Sequence, residues 1–170
     1  MIPVNPEDIR RISAFTGMTP IKFLELIVPD ESVASSYNGV PRIDLANEQD
    51  NILVIKEEDE ACMFLKDKKC AIYQVRPLRC RPFPLSYETK RGQVVFSLNE
   101  DAAKFCKGLG REGKGFDFNE LSKIALAMEK EQKTFRGRIR IWNHGATERE
   151  GASRSVDDLL KFLLPYNKHV

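Results

Sequence analysis

The chain has 170 residues, 42% hydrophobic and 31% charged, with 27 Lys and Arg against 25 Asp and Glu for a net charge of +2. That is room for one core-bearing domain plus a helical appendage, and the near-neutral balance supplies no global attraction to nucleic acid or an anionic membrane. No apolar run reaches the roughly 18–20 residues that span a bilayer.

The N-terminal stretch MIPVNPEDIRR lacks the basic-then-apolar order of a signal peptide. The expected compartment is therefore the cytosol, where disulfides are uncommon. Asn5 before Pro6 predicts a helix start, because the Asn side chain caps and Pro at the first helical position loses no needed N–H. Ile9, Ile12 and Phe15 give that helix an apolar face, and Gly17 ends it. Thr19-Pro20 repeats the signal, and IKFLELIV predicts a second helix up to Pro29, making a helical hairpin. RIDLA and NILVIKE alternate as two strands around the turn NEQDN. The acidic run Glu57 to Glu60 reads as a solvated turn.

LSYETKRGQVVFSLN predicts a β-hairpin turning at TKRG. Gly108, Gly110, Gly113 and Gly115 make residues 107–116 a flexible loop. From Asp117 the apolar residues Leu121, Ile124, Met128, Phe135, Ile139 and Trp142 recur at helical spacing almost to Asn143, with Gly137 a weak point. Residues 144–154 read as a polar linker, and SVDDLLKFLLPY as a last amphipathic helix capped by Ser155. No internal repeat is expected. The fold class is α+β: an N-terminal helical hairpin, short β-hairpins around a cysteine-rich loop, and a long C-terminal helix.

Four cysteines, Cys62, Cys70, Cys80 and Cys106, are separated by seven, nine and twenty-five residues. Their count suits four thiolate ligands around zinc or an iron–sulfur cluster. There is no CxxC pair, and small core side chains are the alternative reading. The surroundings favour a metal. Each cysteine is expected near a turn, and Pro77, Pro82 and Pro84 stiffen the segment. Arg76, Arg79 and Arg81 bring charge that offsets thiolates and is not lost by deprotonation. His144 and His169 sit in polar tail regions, so a Cys–His nucleophilic pair has little support. No P-loop or dinucleotide fingerprint occurs.

The segments CMFL, CAIY and RPLRCRPFP, followed by a later cysteine, resemble the YkgJ-type cysteine-cluster family, described as a zinc- or iron-chelating domain. The matching positions are Cys62, Phe64 and Leu65, then Cys70, Ile72 and Tyr73. Arg76, Pro77, Cys80, Arg81, Phe83 and Pro84 follow, with Cys106 as the distant cysteine. The resemblance covers roughly residues 2–107. Family members usually begin with CxxCxxCC just before the first helix. Here Met1 stands about where that cluster would end, and those cysteines are absent.

The expected organisation is a cysteine-cluster domain over residues 1–116, with residues 117–170 a helical extension packed on it. The resemblance implies Cys62, Cys70, Cys80 and Cys106 as metal ligands of a cofactor, either a 4Fe–4S cluster or zinc, in a structural or electron-transfer role, and the charge of Arg76, Arg79 and Arg81 is expected beside it. Tyr73 and Phe83 are expected to be buried around it. Because flagellin lysine N-methylases carry a related domain, protein methyl transfer is an alternative; a metal-free scaffold keeping the fold is another. A protein partner is expected, if anywhere, on the C-terminal helices, with no nucleic acid and no membrane.

Overall fold

Asn5 shows why the first helix begins where it does. In the computed structural model, which describes residues 1–46, 48–91, 93–99, 102, 115–148 and 154–165, a two-residue strand β1 (Ile2–Pro3) leads into helix α1 (Pro6–Thr16). The Asn5 side-chain oxygen accepts from the Glu7 and Asp8 N–H groups at 2.8 and 3.0 Å. The Asp8 carboxylate accepts in return from the Asn5 N–H at 3.3 Å, a reciprocal capping box. Gly17 ends the helix at φ 69°, a left-handed position that glycine adopts without a Cβ clash.

The second helix is shorter than its sequence implies. Helix α2 (Pro20–Phe23) is one turn, and Leu24–Ile27 is strand β2. A 3-10 segment, Glu31–Tyr37, and strand β3 (Ile52–Ile55) follow. β2 runs antiparallel to β3 from Leu24↔Ile55 to Ile27↔Ile52. The sheet order is β1-β3-β2. The helical hairpin is thus corrected to helix, single turn, strand. The ladder offered by β3 and the β-branched end of ELIV outweigh the weak helical preference.

All four residues of β3 are buried because both of its faces are covered. Leu53 and Ile55 join a cluster with Ile9, Ile12, Phe23, Phe64 and Ile72, while Ile52 and Val54 pack with Tyr37 and Val40. Fully burying each such side chain is worth about 1.5–3 kcal/mol. RIDLA does not form a strand: only Ile43 pairs, in an isolated bridge to Asn51.

Two short hairpins come next, β4 (Glu57–Glu58) with β5 (Ala61–Cys62), and β6 (Leu65–Lys66) with β7 (Lys69–Cys70). Two 3-10 turns, Tyr73–Val75 and Leu78–Cys80, precede β8 (Leu85–Lys90) and β9 (Gln93–Leu98). Helix α3 is Phe118–Glu148 and helix α4 is Val156–Leu163. α3 continues beyond Asn143 through residues read as linker, where no proline interrupts it. Residues 107–114 of the glycine loop lie outside the described residues.

The chain forms two compact units, Met1–Arg76 with Glu131–Val170, and Pro77–Lys130. In the first, Phe135, Ile139 and Trp142 of α3 share one core with Leu159, Leu160 and Leu163 of α4. The segment misread as a strand is held by side chains of α3. Trp142 Nε1 donates to the Asp44 carbonyl at 2.8 Å, and Asn143 Nδ2 to the Arg42 carbonyl at 2.9 Å. The Asn143 side-chain oxygen accepts from the Asp44 N–H at 3.2 Å. Those backbone groups need no strand partner. Arg11 bridges Asp8 at 2.6 Å and Glu131 at 2.8 Å. Burial alone would lower its pKa, but the hydrogen bonds to Glu131 and Asp8 outweigh it and the pKa is raised.

In the second unit β8 and β9 pair along their length, from Leu85↔Leu98 to Lys90↔Gln93, with Arg91 in the turn at φ 50°. Phe96 packs between Tyr87 and Phe118, with centroids 6.3 and 5.7 Å away. The Tyr87 hydroxyl donates to the Ala125 carbonyl at 3.4 Å. Burial, with Glu129 adding to it, pushes the Tyr87 pKa up to about 12.

Candidate metal centre

The two hairpins of residues 57–62 and 65–70 are copies of each other. Asp59 and Glu60 turn the first at φ 50° and 60°, and Asp67 and Lys68 turn the second at 49° and 62°. Two successive left-handed residues mark a two-residue type I′ turn, whose twist matches that of the strands. Each hairpin ends on a cysteine, with Glu57 opposite Cys62 and Leu65 opposite Cys70. The residue after each cysteine then donates seven residues back, Met63 to the Lys56 carbonyl at 3.1 Å and Ala71 to the Phe64 carbonyl at 2.8 Å. This is an eight-residue structural repeat, where none was expected. Its signal lies in the sequence as DEAC (59–62) and DKKC (67–70). Asp and Cys alone recur, and the intervening residues hide the period.

The repeat brings Cys62 and Cys70 to the margin of one core. Both thiols are half-buried against the cluster that contains Phe64 and Ile72. Burial is the largest cause of a raised Cys62 pKa, and Cys70 and Glu57 raise it further. A hydrogen bond from the Phe64 backbone N–H to Cys62 works in the opposite direction. No disulfide joins the described cysteines Cys62, Cys70 and Cys80. Two neighbouring soft donors, one already receiving a backbone N–H, with an apolar layer behind them, fit half of a thiolate site for zinc or iron. Turn residues held at positive φ beside both thiols cost energy that the surrounding fold sustains.

Cys80 ends the 3-10 turn Leu78–Cys80, where its N–H donates to the Pro77 carbonyl at 2.9 Å. It is half-buried and belongs to the second unit with Arg79 and Arg81. Buried Leu78, Pro82 and Pro84 anchor that segment, and the Phe83–Pro84 peptide is cis. Cys106 and His169 lie outside the described residues; His144 is exposed on α3. Among the described residues no group of three or more His, Cys, Asp or Glu side chains is placed to hold a metal ion.

The expected burial of Tyr73 and Phe83 is corrected: they are 62% and 58% exposed. Tyr73 instead carries the Arg76 guanidinium 4.0 Å above its ring, a surface cation–π contact. Arg79 acts electrostatically on Tyr87, lowering its pKa against the stronger effect of burial. The Arg81 N–H donates to the Leu78 carbonyl at 3.1 Å.

A family model, "CxxCxxCC: Putative zinc- or iron-chelating domain", matches residues 2–107. An uncharacterized protein of Methanocaldococcus jannaschii is 40% identical over 57 residues, 32% of this chain and 31% of that protein. The match thus spans less than a third of that relative's length. No solved structure matches the chain. No helix among the described residues is long and apolar enough to cross a membrane.

Proposed function

The chain belongs to the CxxCxxCC family of zinc- or iron-chelating domains, and on that premise we propose that it is a metal-binding protein with a four-cysteine site. Cys62, Cys70, Cys80 and Cys106 are its ligands, and its role is structural or electron-transferring. The observation that carries this reading is the doubled hairpin, which sets Cys62 and Cys70 at equivalent positions against one core. A core thiol needs no such repeated, left-handed turn. Four thiolates around Zn²⁺ leave about two negative charges, which Arg76, Arg79 and Arg81, in the segment around Cys80, would help to offset.

Metal content after anaerobic purification tests the proposal. A colourless protein with about one zinc per chain, or a brown one with about four irons and broad visible absorption, supports it and tells the two apart. Protein with neither zinc nor iron, whose thiols all titrate freely in the folded state, sinks it.

A further inference from the structure

A groove runs between residues 41–42 and the C-terminal half of α3, with a volume of about 520 Å³. Three arginines are among the residues that line it, Arg42, Arg136 and Arg140, together with Ile139 and His144. A second hollow of about 480 Å³ shares Arg140 and His144 and adds Ile141, an aliphatic side chain left 67% exposed. No carboxylate lines either hollow among the described residues. The nearby Asp44 carboxylate accepts instead from the Asp50 N–H at 3.3 Å.

Other arginines of this unit are committed to the fold. Arg10 pairs with Glu7, Arg11 with Asp8 and Glu131, Arg138 donates to the Leu163 carbonyl, and Arg154 donates to the Trp142 carbonyl. In the groove, by contrast, Arg136 donates to the Gly39 carbonyl at a long 3.4 Å. No ion pair with a described carboxylate involves Arg42, Arg136 or Arg140. The groove wall is itself rigid, because Asn143 spends both ends of its amide holding residues 42 and 44.

Like charges brought together repel, and a planar guanidinium fork is the side chain best matched to phosphate oxygens. The volume exceeds what a bare phosphate fills and lies within the roughly 300–1,000 Å³ of small-molecule sites. Ile141, exposed beside Arg140, offers apolar surface on which a flat ring can lie. We propose that this groove binds a nucleoside diphosphate, its phosphates held by Arg42, Arg136 and Arg140 and its base against Ile141 in the adjoining hollow. The inference does not depend on whether the cysteines hold a metal.

Calorimetric titration of the full chain with ADP, with inorganic phosphate and a short single-stranded RNA as parallel arms, tests this. ADP is expected to bind more tightly than phosphate or RNA. Arg42→Gln and Arg140→Gln should each weaken it about tenfold or more, the loss expected for a charged hydrogen bond. Arg140→Lys should weaken it too, since the charge stays and the fork goes. Lys22→Gln, the same charge change at an exposed site of this unit, should leave it within about twofold. Unchanged melting curves show that these variants fold. Absence of ADP binding, equal losses in Lys22→Gln, phosphate binding as tight as ADP, or tighter RNA binding that ADP cannot displace would each overturn the proposal.

Discussion

The hairpin at residues 57–62 exposes four carboxylates, Glu57, Glu58, Asp59 and Glu60, whereas the one at 65–70 exposes Lys66, Lys68 and Lys69 around a single Asp67. Their backbones agree residue by residue: the same turn dihedrals, the same half-buried cysteine at the end, the same bond seven residues back. What they share therefore identifies what the architecture demands, an Asp that tolerates φ > 0 and a thiol facing the core. What they do not share is exposed charge, which a two-residue turn leaves unconstrained. The difference still reaches the thiols. Cys62 faces a carboxylate across its ladder and Cys70 a leucine, so one backbone serves two electrostatic settings.

The largest expected effect breaks the pair itself. Cys62→Ser and Cys70→Ser should each lower bound metal per chain at least about tenfold, because a tetrahedral thiolate site does not survive the loss of one ligand. Elemental analysis after anaerobic purification measures it. Loss in one variant with full occupancy in the other would show that the two hairpins are alike in shape alone.

This comparison also marks what was legible in the sequence. The cap at Asn5, the capping box at Ser155 with Asp158 and the hairpin turn before Gln93 are set by residues within a few positions of each other, and all three are readable. Leu24–Ile27 is not, because its partner β3 lies some thirty residues on and decides between helix and strand. Residues 42–45 fail for the same reason at longer range, since Trp142 and Asn143 supply their hydrogen bonds. Of the candidate site, Cys62 and Cys70 were identifiable as motif residues. Their common geometry was hidden by the reversal of charge between the copies. The exposed Tyr73 was missed because its partner is a cation, Arg76, and not a core.

A smaller effect sharpens the shared geometry. Glu60 and Lys68 hold φ of 60° and 62°, where an L-residue costs about 1–2 kcal/mol. Glycine removes that cost and loses about 0.5–1 kcal/mol through its freer unfolded chain. Glu60→Gly and Lys68→Gly should therefore each stabilise by roughly 0.5–1 kcal/mol, a rise of about 1–4 °C in melting temperature for a chain of this size. Similar gains confirm equivalent turns, and a fall in either variant would contradict the left-handed geometry there.

The electrostatic difference has a pH signature in metal-free protein. Burial, Cys70 and Glu57 place the folded Cys62 pKa above its ordinary 9.0. The folded state therefore holds this proton more tightly than the unfolded chain. The resulting stability is fully present below about pH 9 and is lost as pH rises through the folded value. Chelator-treated wild type should lose more stability between pH 8 and pH 10 than Cys62→Ala, with Glu57→Leu in between. Equal losses in all three, by denaturant titration, would remove the carboxylate from the account of Cys62.

The smallest effect concerns the one ion pair that joins the copies, Lys66 Nζ to Glu58 Oε2 at 2.8 Å. Both side chains are more than half exposed, so water and salt screen them and such a pair contributes about 0–1 kcal/mol. Glu58→Lys alone sets two ammonium groups beside each other and should destabilise by up to about 0.5 kcal/mol at low salt, fading as salt is added. The double variant Glu58→Lys with Lys66→Glu restores opposite charge with the hairpins' signs exchanged, and should return to wild-type stability and wild-type metal content. A double variant that stays destabilised, or that loses metal, would show that the sign carried by each hairpin matters to the cysteine beside it, and that the copies are not interchangeable.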